Sequence, residues 1–234
     1  MSTCTPTEET AREGLARLWA AVDTYDGEVA DAELADLIRE RTLGEAITTI
    51  VLPFLEEIGS RWQTDRLSVA HEHFASNLVR RWLSAFSGPT ATEVVPSGGP
   101  VILLACPPGE RHDLVLLCFS LLLAEDGART RYLGADTPMP ALAAAARAAG
   151  ADAVVLASTR DTAFAAEATS IANLALEHPV FVAGRGASQS VAEELRAHLL
   201  PHDPVVAVGF LRTVLASEPA GVQGGAQRQA QRQA

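Results

Sequence analysis

An unbroken apolar run at residues 101–106 (VILLAC) restricts the fold of this chain more than any other stretch. A short apolar run bounded by turn residues reads as a strand buried on both faces, and such strands belong to parallel sheets covered by helices. Pro107, Pro108 and Gly109 supply the turn, and a second apolar stretch at 114–124 reads as the covering helix. From there the pattern alternates. Strands are predicted at 129–133, 153–157, 180–183 and 204–208, and helices at 113–126, 138–149, 162–176, 188–200 and 209–217. Strands alternating with helices imply a doubly wound, flavodoxin-like parallel sheet.

The first third of the chain has no such alternation. Leu15, Leu18, Trp19 and Val22 recur at helical spacing, as do Leu34, Leu37 and Ile38 behind Asp31, a cap candidate. Residues 43–63 read as a third helix, ended or kinked near Pro53, and 67–86 as a fourth. The predicted architecture is α + α/β. A four-helix bundle (7–87) is followed by a Gly/Pro/Ser/Thr-rich linker (88–100), the sheet domain (101–217) and a tail (218–234). The tail repeats Gln-Arg-Gln-Ala, is poor in apolar residues and is expected to be disordered.

Composition excludes several classes. All eighteen basic residues are arginine, so the chain has no lysine for a Schiff base or a phosphate-binding P-loop. The formal net charge is −11, with −7 on residues 1–90 and −4 on the rest, which is no footprint for nucleic acid. Only about six residues precede the first predicted helix, too few for a helix-turn-helix. No apolar run approaches the roughly eighteen residues of a membrane span, and the start lacks the order of a signal peptide, so a cytoplasmic protein without a membrane partner is expected. Cys4, Cys106 and Cys118 have no metal-binding spacing, and the last two sit in apolar runs as packing residues. The first strand-to-helix turn lacks G-x-G-x-x-G, and its prolines remove amides that a pyrophosphate would need.

In a parallel sheet the carboxyl ends of the strands form the ligand-binding edge. Three groups converge there: Glu110-Arg111-His112, Ser158-Thr159-Arg160 and Gly184-Arg185-Gly186. A carboxylate two residues before a histidine can fix the ring's tautomer and strengthen it as a metal ligand. Taken singly, Ser158 reads as a helix cap and the glycines as a turn. Together with a histidine on the same edge they form a more specific constellation.

That constellation resembles the cobalamin-binding domain of methionine synthase, mutases and corrinoid proteins, whose pattern is Asp/Glu-x-His-x-x-Gly, then Ser-x-Leu or Ser-x-Thr, then a Gly-Gly pair. The resemblance implies that His112 is the lower ligand of cobalt, that Glu110 and Ser158 tune it, and that Thr159 beside them is cofactor-binding. It further implies that Gly184 and Gly186 line the channel for the nucleotide tail, and that Asp136 and Thr137 lie under the corrin. Two positions depart from the pattern: Val115 stands at the family's glycine, and Arg185 splits the glycine pair.

The helical half carries Trp62, then Val69, Glu72 and His73, the last three at i, i+3 and i+4 on one helical face. His71 points away from His73, and H-E-x-x-H is absent, so a zinc-type site is not expected. The Trp-x9-Glu-His spacing resembles the helical cap of adenosylcobalamin photoreceptors. The resemblance implies that Trp62, Val69, Glu72 and His73 surround the upper face of the cofactor. Gln63 replaces the histidine that follows the tryptophan in those photoreceptors, and a related group holds a bilin such as biliverdin above the corrin. The implied protein is a non-enzymatic, cobalamin-dependent light sensor binding the corrinoid between cap and sheet domain. Its output would pass through a homo-oligomer or a separate partner protein. The alternative is the corrinoid carrier of a methyltransferase system.

Overall fold

The structure is a computed structural model that describes residues 6–86 and 98–217. Most of the expected linker and all of the expected tail fall outside the described residues. The chain divides into two compact units, Met1–Pro89 and Thr90–Ala234.

The first unit is helical: α1 (Pro6–Asp23), α2 (Gly27–Ile38), α3 (Leu43–Ala46), α4 (Leu52–Gln63) and α5 (Val69–Phe86). The cap of α2 is Asp26 rather than the expected Asp31. Its side chain accepts the Val29 N–H, satisfying a donor that the first helical turn leaves without a partner. Asp31 instead pairs with Arg81 at 3.0 Å. Tyr25, at φ 56°, makes the left-handed reversal between α1 and α2. Thr42 and Glu45 form a reciprocal capping box at α3.

Pro53 neither ends nor sharply interrupts the third predicted helix. A π-turn at Ile47–Val51 joins α3 to α4, and the Leu52 N–H reaches back to the Ile47 carbonyl. Proline can donate no helical hydrogen bond and crowds the carbonyl four residues earlier. One wide turn just before it removes that conflict. Leu18, Val22, Leu34, Ile47, Ile50, Phe54, Leu78 and Leu83 are buried in the core of this unit.

The second unit is a five-stranded parallel sheet in the order β2-β1-β3-β4-β5. Its strands are β1 (Val101–Ala105), β2 (Arg129–Gly134), β3 (Ala153–Ala157), β4 (Val180–Ala183) and β5 (His198–Leu199). Its helices are α6 (Leu114–Glu125), α7 (Met139–Ala149), α8 (Asp161–Ala166), α9 (Ala168–Leu174), α10 (Gln189–Glu194) and α11 (Pro204–Ser217). This is the flavodoxin-like order, with its topological switch between β1 and β3. All five residues of β1 are buried, as a central parallel strand requires. One face of the sheet packs Leu103, Val154, Leu156 and Val182 against Leu142, Phe164, Ile171 and Leu195. Among the described residues no helix is long and apolar enough to cross a membrane.

The last third departs from expectation. The predicted helix over 188–200 stops at Glu194, Arg196 takes φ 56°, and His198–Leu199 pairs with Phe181 and Val182 as the edge strand. The segment predicted as a strand at 204–208 is instead the first part of α11. Asp203 Oδ1 accepts the N–H groups of Val205 and Val206 at 2.8 and 3.1 Å, with Pro204 opening the helix. An aspartate followed by proline at the first helical position is a helix start. The predicted helix over 162–176 divides at Glu167, whose φ of −110° lies off the helical range.

Candidate cofactor-binding site

The turn after β1 carries the candidate ligand, and both neighbouring strand ends hold that turn in place. From the β2 side, Asp136 Oδ1 accepts the Gly109 N–H at 2.7 Å, and the Asp136 N–H donates to the Glu110 carbonyl at 2.8 Å. From the β3 side, Arg160 Nη2 donates to the Gly109 carbonyl at 2.5 Å. The Gly109 peptide is therefore gripped at both its polar atoms, and Gly109 at φ 77° permits the turn. Thr137 adds its N–H to the Cys106 carbonyl at 3.0 Å. Asp136, itself at φ 50°, is exposed and Thr137 is buried.

Glu110 is fully buried. Its Oε1 lies 2.9 Å from the His112 backbone nitrogen and 2.6 Å from His112 Nδ1. Its Oε2 accepts Ser158 Oγ at 2.8 Å, the Thr159 N–H at 2.7 Å and Thr159 Oγ1 at 2.7 Å. Burial alone would push this carboxyl up. Hydrogen bonds from His112 and Thr159 overcome that and hold it down at about 2. The carboxylate is therefore ionised at neutral pH, and as an acceptor beside Nδ1 it favours the tautomer protonated there, which frees Nε2 to act as a ligand. The His112 side chain is 71% exposed, so its ring is accessible.

Among the described residues no group of three or more His, Cys, Asp and Glu gathers into an ion site. His112 therefore offers one strong donor, which suits a metal already held in a larger ligand with an axial position to fill. A single imidazole backed by a buried carboxylate fits the lower side of a cobalt corrinoid.

Gly184 and Gly186 serve the packing of the next turn. A Cβ on Gly184 would lie 2.3 Å from the Ser158 carbonyl oxygen, and one on Gly186 would lie 2.3 Å from the Arg160 carbonyl carbon. The Gly186 N–H donates to the Ser158 carbonyl at 2.9 Å. These glycines set the β4 turn directly on the β3 turn, and so hold Ser158 and Thr159 against Glu110. Val115 is half-exposed on the first turn of α6. Sequence reading passed over the grip of Arg160 on Gly109, and over Tyr132, whose hydroxyl donates to Asp113 Oδ2 at 2.8 Å beside the same turn. Neither residue type carries a local signal for such a role.

In the helical unit, the α1–α2 turn packs against the start of α5. Tyr25 stacks on His71 at 4.3 Å between ring centroids. His71 Nδ1 also lies 2.7 Å from Ser68 Oγ, so this histidine belongs to packing. His73 points elsewhere, pairing with Glu72 at 2.6 Å, and Glu72 also accepts Ser76 Oγ at 2.8 Å. Trp62 on the last turn of α4 and Val69 at the start of α5 are both more than half exposed. Glu72 and His73 are thus brought together, while Trp62 and Val69 present apolar surface at the same α4–α5 end.

Residues 15–86 match the protein family described as B12 binding domain. That match lies in the helical unit. The chain is 34% identical over 187 residues to the HTH-type transcriptional repressor CarA of Myxococcus xanthus, covering 79% of this chain and 61% of CarA. It is 30% identical over 200 residues to the HTH-type transcriptional repressor CarH of the same organism, covering 83% of this chain and 64% of CarH. The chain thus spans a little under two thirds of the curated relatives it matches. Both aligned stretches are longer than either compact unit, so the relationship takes in helices and sheet alike. Both relatives are named as transcriptional repressors. The fold resembles that of the Methanosarcina barkeri monomethylamine corrinoid protein, with a TM-score of 0.70, 14% identity, and coverage of 87% of this chain and 99% of that one. The expected helical cap plus Rossmann-like sheet is the fold observed.

Proposed function

We propose that this B12-binding chain is a light-responsive regulatory protein that takes adenosylcobalamin, with His112 as the lower ligand of its cobalt. The observation that carries the reading is the Glu110–His112 pair, which keeps the imidazole proton on Nδ1 and turns Nε2 outward. Hydrogen bonds from His112 and Thr159 keep the buried Glu110 ionised, Ser158 also donates to it, and Asp136, Thr137, Gly184 and Gly186 hold the surrounding turns. In the helical unit, Trp62 and Val69 are exposed and Glu72 pairs with His73 at the α4–α5 end, a surface with both apolar and polar groups to offer a ligand. When bound, adenosylcobalamin supplies a cobalt–carbon bond that light can break. Breaking that bond would shift the balance between two packings and pass to a partner protein or to the oligomeric state.

Gln63 stands next to Trp62, and Gln is a weak cobalt ligand, so capture of cobalt by a second histidine at that position is not expected. Gln63 is compatible with the related group that holds a bilin such as biliverdin above the corrin, which makes biliverdin a second candidate chromophore. Absorption spectra and size-exclusion profiles test the proposal, taken in the dark and after illumination with adenosylcobalamin, biliverdin or both. A light-dependent change in spectrum or assembly is expected. His112→Ala should lose the spectral signature of histidine ligation. Absence of any light response with either chromophore would refute the sensor reading. Light-independent methyl transfer between the bound cobalt and a partner enzyme would identify a corrinoid carrier instead.

A further inference from the structure

Asp113 follows His112 directly and stands at the start of α6, where an aspartate ordinarily accepts an N–H of the first helical turn. Here it makes no such bond. The residue is buried, and its carboxylate meets β2 instead. The Tyr132 hydroxyl donates to Asp113 Oδ2 at 2.8 Å and lies 3.0 Å from the Asp113 carbonyl oxygen. That carbonyl also accepts the Leu117 N–H at 2.9 Å, so the first turn of α6 and the tyrosine share one acceptor. The fold forgoes a helix cap and gains a tie from the residue beside His112 to the edge strand.

Two further features accommodate that tie. The register between β1 and β2 shifts here: Leu104 faces Tyr132 but Ala105 faces Gly134, and Leu133 is left over. An extra residue of this kind re-aims side chains and recurs beside binding sites. Gly134, at φ 81°, leaves open the place where a Cβ would stand 3.3 Å from the Tyr132 ring and 3.6 Å from Asp113 Oδ2. The backbone around His112 is thus held from two directions. Glu110, joined to Ser158 after β3, takes the His112 N–H, and Tyr132 on β2 takes the adjoining Asp113 carbonyl. Glu110 sets the tautomer of the ring, whereas the Tyr132 tie acts on the backbone that carries it.

We infer that Tyr132 is a positioning residue for His112: by holding Asp113 it fixes the stem of the imidazole, so that the ring keeps its place on cobalt against competing ligands. The inference rests on the cobalamin reading above.

Cyanide competition on the full chain loaded with aquocobalamin tests this, because the second cyanide must displace the lower ligand and the dicyano product has its own absorption spectrum. Tyr132→Phe removes only the hydroxyl and should lower the cyanide concentration at half-displacement roughly tenfold, as for loss of a group that orients a metal-bound histidine. Asp113→Ala should lower it by less, because the Asp113 carbonyl still accepts the hydroxyl. Asp113→Asn keeps a side-chain acceptor and should stay within about twofold of the wild type. Circular dichroism and thermal unfolding establish that the variants fold. A purely structural role would lower the melting temperature without moving half-displacement in folded, loaded protein. Unchanged half-displacement in Tyr132→Phe would therefore overturn the inference, and if that variant does not fold, unchanged half-displacement in Asp113→Ala would do so. Electron paramagnetic resonance of wild type carrying nitrogen-15 histidine and cob(II)alamin separates this from the underlying reading. A bound cobalt signal without histidine nitrogen splitting would overturn the assignment of His112 as lower ligand, whereas normal splitting with unchanged cyanide competition would overturn only the role of Tyr132.

Discussion

Replacing Glu110 by glutamine keeps the shape of the side chain and removes its charge, which makes it the most direct probe of the buried relay. Glutamine imitates the protonated acid, so the variant resembles the wild type at very low pH. The carboxyl's ordinary value of 4.5 falls to about 2 in the fold, because hydrogen bonds from His112 and Thr159 outweigh the burial that opposes ionisation. At about 1.4 kcal/mol per pH unit, this ionised group contributes about 3 kcal/mol to folding at neutral pH. The sign follows from the lowered value. The contribution is complete above pH 4.5 and fades as the pH falls from there towards about 2. Urea unfolding of wild type and Glu110→Gln should thus differ by about 3 kcal/mol at pH 7, with the gap closing through that acid window. A second readout is ligation. Loss of a carboxylate behind a metal-bound histidine costs roughly 10–100-fold in affinity, which a cobalamin titration of the folded variant would read. A gap that stays constant between pH 7 and pH 3, or a variant as stable as the wild type at pH 7, would refute this account of Glu110.

Three other predictions concern single sites. Gly184→Ala forces a Cβ to within 2.3 Å of the Ser158 carbonyl oxygen at φ 89° and should cost about 2–4 kcal/mol by chemical denaturation; a cost below about 0.5 kcal/mol would mean the two turns are not in contact. Asp26→Ala removes the α2 cap and should lower stability by about 1 kcal/mol, with Asp31→Ala costing less because its pair with Arg81 is exposed. Burial pushes the thiols of Cys106 and Cys118 up to about 12, so iodoacetamide at pH 8 should leave both unmodified in the native protein and label them after unfolding, as mass spectrometry would show.

The parts of the fold legible in the sequence are those where one strong local pattern meets no competitor. The apolar run that became β1 and the long apolar helix α6 have no alternative to burial, and the His112 turn between them follows from their order. The 204–208 segment was misread because Val205, Val206 and Val208 carry a strand-like composition, while the decisive signal was the Asp203-Pro204 pair before them. Edge strand β5 has two residues, too short for any period to register, and its pairing depends on β4 being beside it. The contact of Glu110 with Ser158 and Thr159 joins residues 48 and 49 positions apart, and no spacing rule reports such a distance. Strand–helix alternation put the two turns on one sheet edge, and the resemblance to a known pattern then tied Ser158 to Glu110. The grip of Asp136 and Arg160 on the Gly109 peptide was beyond sequence reading altogether, because it lies in backbone atoms that every residue shares.

The position of Glu110 has a consequence for the kind of molecule this edge can accept. In a doubly wound sheet the gap between the strands that diverge at the switch point receives the ligand, and here those strands are β1 and β3. The Glu110 carboxylate, bridged to Ser158 and Thr159, fills that gap from within. The bridge ties the β1 turn to the β3 turn from inside the sheet edge and leaves the His112 ring exposed above it.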